Sequence, residues 1–155
     1  MKSNKPMFWW GGGLFILLVF LFLYPSIFGN ANRTNSASVP CLIRNFPLVQ
    51  HIHPIISITV DGKPESIPAE IGLSASCERA VHTHDDDAAL GVIHVESQDK
   101  RIYVLGDFFD VWGKSFNRDG YIFKASVDEI VLEKPASLVF KDKQQIKLEY
   151  LEIKK

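Results

Sequence analysis

Alternation of apolar and polar positions is clearest between His51 and Asp61. Ile52, Ile56, Ile58 and Val60 fall on one side of an extended chain, and His51, His53, Ser57 and Thr59 on the other. This predicts a strand with one face on the core and two imidazoles on the opposite face. Pro54 lacks an N–H, so the strand lies at an edge or starts just beyond it. Asp61-Gly62 is a strong hairpin turn, with Lys63 to Ile67 as the return strand. Pro68 and Gly72 then bracket a loop leading to Ser74 to Cys77. Val81 to Asp85 reads as a short strand with His82 and His84 on one side. The acidic run Asp85 to Asp87 and Gly91 turn the chain, and Val92 to Ser97 returns with His94 and Glu96 sharing a face. Such a hairpin would bring His94 beside His82 or His84.

Further on, Arg101 to Leu105 reads as a strand, and Gly106 to Trp112 as a short helix. In the helix Phe108, Phe109 and Trp112 face inward, Asp107 and Asp110 outward, and Gly113 ends the turn. After a turn at Asp119-Gly120, four short strands follow at Tyr121 to Val127, Glu129 to Glu133, Ser137 to Phe140 and Ile146 to Tyr150. The expected fold is therefore mainly β, a single compact domain with one short helix at about Gly106-Trp112.

A different pattern precedes this domain. Phe8 to Phe28 is apolar throughout, and no charge lies between Lys5 and Arg33. As a helix it would rise about 30 Å, the depth of a hydrocarbon core. Lys2 and Lys5 place the N-terminus in the cytoplasm, and Trp9, Trp10 and Tyr24 fall near the two interfaces. The expected organisation is a cytoplasmic tail at 1–7, a single-pass transmembrane anchor at 8–28, a tether at 29–45 and an extracytoplasmic domain at 46–155. A cleaved signal peptide has the same charge order, but this apolar run is longer than an ordinary one and Gly29-Asn30-Ala31 is a poor cleavage site. Asn32-Arg33-Thr34 matches a glycosylation sequon, a weak signal by itself.

Composition narrows the partners. Setting aside Lys2 and Lys5, 15 of the 17 basic residues face 18 acidic ones, a net charge of −3. No basic stripe interleaves with aromatics, which argues against nucleic acid. The two cysteines, Cys41 and Cys77, follow the anchor. In an oxidising compartment such a pair reads as a disulfide, with thiolate ligation of a metal as the alternative.

All five histidines lie between His51 and His94. Imidazole is the commonest protein ligand for transition metals, and each H-x-H on a strand presents two rings to one side. His51, His53, His82, His84, His94 and Asp85 are the candidate ligands for a divalent transition metal, copper or zinc. Glu96 is a candidate outer carboxylate that fixes an imidazole tautomer. The alternative is that His51 and His53 decorate a solvated strand while Asp85 to Asp87 form a polar turn. Named patterns fail: a cupin needs a glutamate where Ala88 and Ala89 stand, and a metallo-β-lactamase needs histidine where Asp87 stands. Blue-copper ligation lacks its methionine, since Met1 and Met7 precede the domain.

His51-x-His53-Pro54, Ile67-Pro68-Ala69-x-Ile71-Gly72, Cys77, His82-Thr83-His84-Asp85, Gly91-x-Ile93-His94-x-Glu96-Ser97 and Leu105-Gly106-x-Phe108-Phe109-x-x-Trp112-Gly113 form a combined pattern. It resembles a family of uncharacterised, membrane-anchored or secreted prokaryotic proteins. The resemblance implies that the histidines belong to one recurrent unit and brings no activity with it. The acidic run Asp86 to Ala89 departs from that pattern and would loosen the hairpin. No nucleophile-base pair stands out, so the expected function is a metal-binding module. A small metal-dependent enzyme, with Asp85 or Glu96 as base, and a metal-free structural or interaction domain are the alternatives.

Overall fold

The computed structural model describes residues 39–154. The expected anchor at Phe8 to Phe28 lies outside them. Among the described residues no helix is long and apolar enough to cross a membrane.

The described chain is mainly β with one short helix. Its strands in chain order are β1 (Gln50–Ile52), β2 (Ile55–Val60), β3 (Lys63–Glu65), β4 (Leu73–Ser74), β5 (Cys77–Glu78), β6 (Val81–His82) and β7 (His94–Ser97). The helix α1 (Leu105–Trp112) follows, then β8 (Tyr121–Val127), β9 (Ile130–Val131) and β10 (Gln145–Glu152). The larger sheet has the order β3-β2-β10-β8-β9, the smaller β1-β7-β6, and β4 pairs with β5 alone.

The last strand sits at the centre of the larger sheet. β10 pairs parallel with β2, from Gln145↔Ile55 to Tyr150↔Val60, and antiparallel with β8. Its alternation places Ile146, Leu148 and Tyr150 in the core against Ile56, Ile58 and Ala125. Asp61 and Gly62 both take positive φ, 48° and 76°, the geometry of a tight hairpin between β2 and β3.

Three expectations need correction. The strand expected from His51 to Asp61 is two strands in different sheets. Pro54 cannot donate to a ladder, and the chain changes sheet there, so β1 pairs with β7 while β2 starts at Ile55. Arg101 to Leu105 and Ser137 to Phe140 are not full strands. They meet in the single bridge Val104↔Val139, because α1 begins at Leu105 and a 3-10 turn occupies Pro135–Ser137. Asp107 is buried instead of outward, its carboxylate accepting the Val104 N–H at 2.9 Å and capping the helix.

The packed domain also takes in residues assigned above to the tether. Val39 is in the core, and Cys41 is bonded to Cys77 as a disulfide, 36 residues apart.

Candidate metal centre

β7 is the middle strand of the small sheet, and its alternation organises the site. Val95 points into the core with Ile52 of β1 and Val81 of β6 as its cross-strand partners. On the opposite face His94 and Glu96 stand side by side. β1 places His51 directly opposite Glu96, and β6 places His82 directly opposite His94. His53 and His84 lie two residues beyond His51 and His82, and their rings join the same cluster. The hydrophobic half of each short strand thus sets the direction of its imidazole half.

His94 is the hub. Its ring centroid lies 4.5 Å from that of His84, 4.7 Å from His53, 5.4 Å from His82 and 6.3 Å from His51. Its Nε2 is 2.9 Å from the Asp87 Oδ2 carboxylate oxygen, which can only accept, so Nε2 carries the proton. In the neutral ring the lone pair is then on Nδ1, which is buried with no hydrogen-bond partner. The nearest carboxylate oxygen is that of Glu96, at 3.8 Å.

His82 is fully buried and its tautomer follows from the same argument. Nδ1–H donates to the Arg79 carbonyl at 2.7 Å, which leaves the lone pair on Nε2. That atom lies 3.0 Å from His84 Nε2 and 3.7 Å from a Glu78 carboxylate oxygen. Burial pushes the His82 pKa down to about 4 against the opposing backbone hydrogen bond, and His84 lowers it further, so the ring is neutral near pH 7. His53 is shifted in the same direction, first by burial and then by His94 and His51. Its backbone N–H donates to Asp142 Oδ1 at 2.9 Å, which ties the residue after β1 to the turn before β10.

Two groups of side chains bring their ligand atoms within 4.8 Å of one another: His82, His84, His94 and Glu96, and His51, His53 and His94. Ligand atoms about 2.1 Å from a tetrahedral ion lie roughly 3.4 Å apart, so small side-chain rotations close either group around one. A hydrogen-bonded proton on the far ring nitrogen and a lone pair on the near one is how metal-binding imidazoles are held. His82 and His94 both have that form before any ion arrives.

The five histidines and Glu96 therefore come together, and Glu96 stands inside the cluster as a candidate ligand. Asp85 does not join it. It is exposed and belongs to neither group. Asp87 takes the place expected of Asp85, but as the acceptor behind His94. Its acidic run does not loosen the hairpin: Ala88–Leu90 form a 3-10 turn closed by Gly91 at φ 82°, and His82 and His94 pair as register partners. Glu78 was also not foreseen. Its nearness to His82, four residues on, was the available signal. Both cysteines are in the disulfide, so neither is a thiolate ligand.

Beside the cluster a groove of about 560 Å³ runs between Leu42 to Phe46 and the β4-β5 turn, with Glu78, Glu96 and Gln98 on its wall. No family model, curated protein or solved structure matches the chain.

Proposed function

We propose that this protein is a membrane-anchored, extracytoplasmic module that binds a divalent transition metal, copper or zinc, at His82, His84, His94 and Glu96. One observation carries the reading. The buried Nδ1 of His94 has no hydrogen-bond partner, it is an acceptor in the neutral ring, and it sits among imidazoles and a carboxylate. A buried acceptor left unpaired costs stability, on the order of 1–3 kcal/mol. An ion at that position would satisfy it. Imidazole donors favour a borderline metal, and the disulfide suits an oxidising compartment.

Elemental mass spectrometry of the tag-free full chain, purified without chelator, tests the proposal beside a His82→Ala/His94→Ala variant. Near-stoichiometric copper or zinc that is lost in the variant is the expected result. A metal-free protein that refuses both ions in titration and melts cooperatively would sink it, and would favour a structural network of imidazoles and carboxylates.

A second reading, a small metal-dependent enzyme, draws on the groove that reaches Glu96. It places a carboxylate where a substrate could lie beside the ion, with Glu96 as general base. Turnover of ester, amide or phosphoester probes that is abolished by Glu96→Gln would separate it from simple binding.

A further inference from the structure

The cluster is not one uniform set. Side-chain exposure rises outward across the three strands, from 0% at His82 through 13% at His94 and 14% at Glu96 to 37% at His53 and 50% at His51. His82 lies on β6 with His84 just past its end, and His51 lies on β1 with His53 just past its end, on opposite sides of β7. In the inner pair His82 Nδ1–H donates to the Arg79 carbonyl, and in the outer pair the His53 backbone N–H donates to Asp142 Oδ1. The two ligand groups have one member in common, His94.

That sharing has a chemical consequence. With Nε2 given to Asp87, His94 has one lone pair, and it can serve one ion at a time. The two groups are therefore alternative positions for a single ion. Glu96 lies between them, its Oε1 3.1 Å from His51 Nε2 and 3.8 Å from His94 Nδ1. A carboxylate so placed can keep hold of an ion while the imidazoles around it are exchanged.

We infer that His51 and His53 form an outer entry station, through which the ion reaches and leaves the inner centre at His82 and His84. The inference rests on the metal-binding reading. A borderline divalent cation meets the half-exposed outer rings first, keeps part of its hydration there, and gives up water as His82 and His84 replace His51 and His53. His94 and Glu96 remain in contact throughout. The inner position holds the ion at equilibrium because His82 is fully buried and His82 and His94 are already oriented. The outer position sets the rate.

The test uses Zn²⁺ and a chromogenic chelator with the full chain. Affinity and stoichiometry come from competition titration, and loading and removal rates from stopped flow. In His51→Ala/His53→Ala, one ion should still bind with affinity within about threefold of the unmodified protein, while both rates fall tenfold or more. In His82→Ala/His84→Ala, affinity should fall at least tenfold while the initial capture rate persists. Unchanged melting temperatures establish that both variants fold. Unaltered exchange rates in the outer variant overturn the inference, as does an equal loss of affinity in both variants, which describes a single shared centre. Two ions bound at once also overturn it. Each of these leaves metal binding intact, whereas a chain that binds no Zn²⁺ or Cu²⁺ at all removes both readings.

Discussion

The direction in which a side chain points is decided in this site by what stands behind it. His94 presents Nδ1 to the cluster because Asp87 takes its Nε2 proton, and His82 presents Nε2 because the Arg79 carbonyl takes its Nδ1 proton. Removing such an acceptor frees the ring to rotate and to change tautomer. Asp87→Ala should therefore weaken metal binding by about 10- to 100-fold, read by competition titration, though Asp87 belongs to neither ligand group. Asp85→Ala, at an exposed position two residues earlier, should change affinity by less than about twofold. Equal effects at the two positions would contradict the assigned role of Asp87. The histidines themselves were legible as a collected set, since H-x-H on an extended chain repeats with the pleat. The choice of Asp87 over Asp85 was not. It depends on the 3-10 turn at Ala88–Leu90, which folds the chain back so that residue 87 reaches residue 94.

Among the described glycines, Gly91 in the turn before β7 has the least room. Gly91 takes φ 82°, and a Cβ there would stand 2.0 Å from the Ile56 carbonyl oxygen of β2. Around this contact the Ile56 N–H donates to the Gly91 carbonyl at 2.8 Å and the Ile93 N–H to the Pro54 carbonyl at 2.9 Å. The turn that carries Asp87 is thus stitched to the first strand of the larger sheet. Gly91→Ala cannot be absorbed by a side-chain rotation, because backbone meets backbone. It should cost about 1–3 kcal/mol or more from the left-handed conformation alone, measured by urea unfolding, and should lower metal affinity as Asp87 is displaced. Strands with strict alternation, β8 and β10 above all, and the aromatic spacing of α1 were readable from local periodicity. The break at Pro54 was half readable: proline marks an interruption, but it does not say that the chain will change sheets there.

At the scale of the molecule, a covalent tie spans the segment that carries β1. The Cys41–Cys77 disulfide closes a loop that contains β1, His51 and His53, and it joins the start of the domain to the β4-β5 hairpin. Cross-linking a loop of 36 residues restricts the unfolded chain by roughly 3–4 kcal/mol. Cys41→Ala/Cys77→Ala should lose about that much stability in denaturant titration. It should also disturb the outer histidines more than the inner ones, since His82 is held by its own neighbours. A loss below about 1 kcal/mol would show that the packing of Val39 and β1 suffices without the bond.

By itself the sequence determined the local matters: the β class of the described residues, their short helix, the hairpin at Asp61-Gly62, the inward residues of β10, and the gathering of imidazoles between His51 and His94. These follow from interactions between near neighbours, where period, turn chemistry and proline geometry act within a few residues. Only the tertiary structure decided that β10 enters beside β2 in parallel, that β1 and β6 flank β7, and that His94 faces all four other histidines. It also decided which carboxylates reach the site. Those outcomes depend on pairings between residues far apart in the chain. Many such pairings satisfy the same alternation, and the packing of the whole core selects among them.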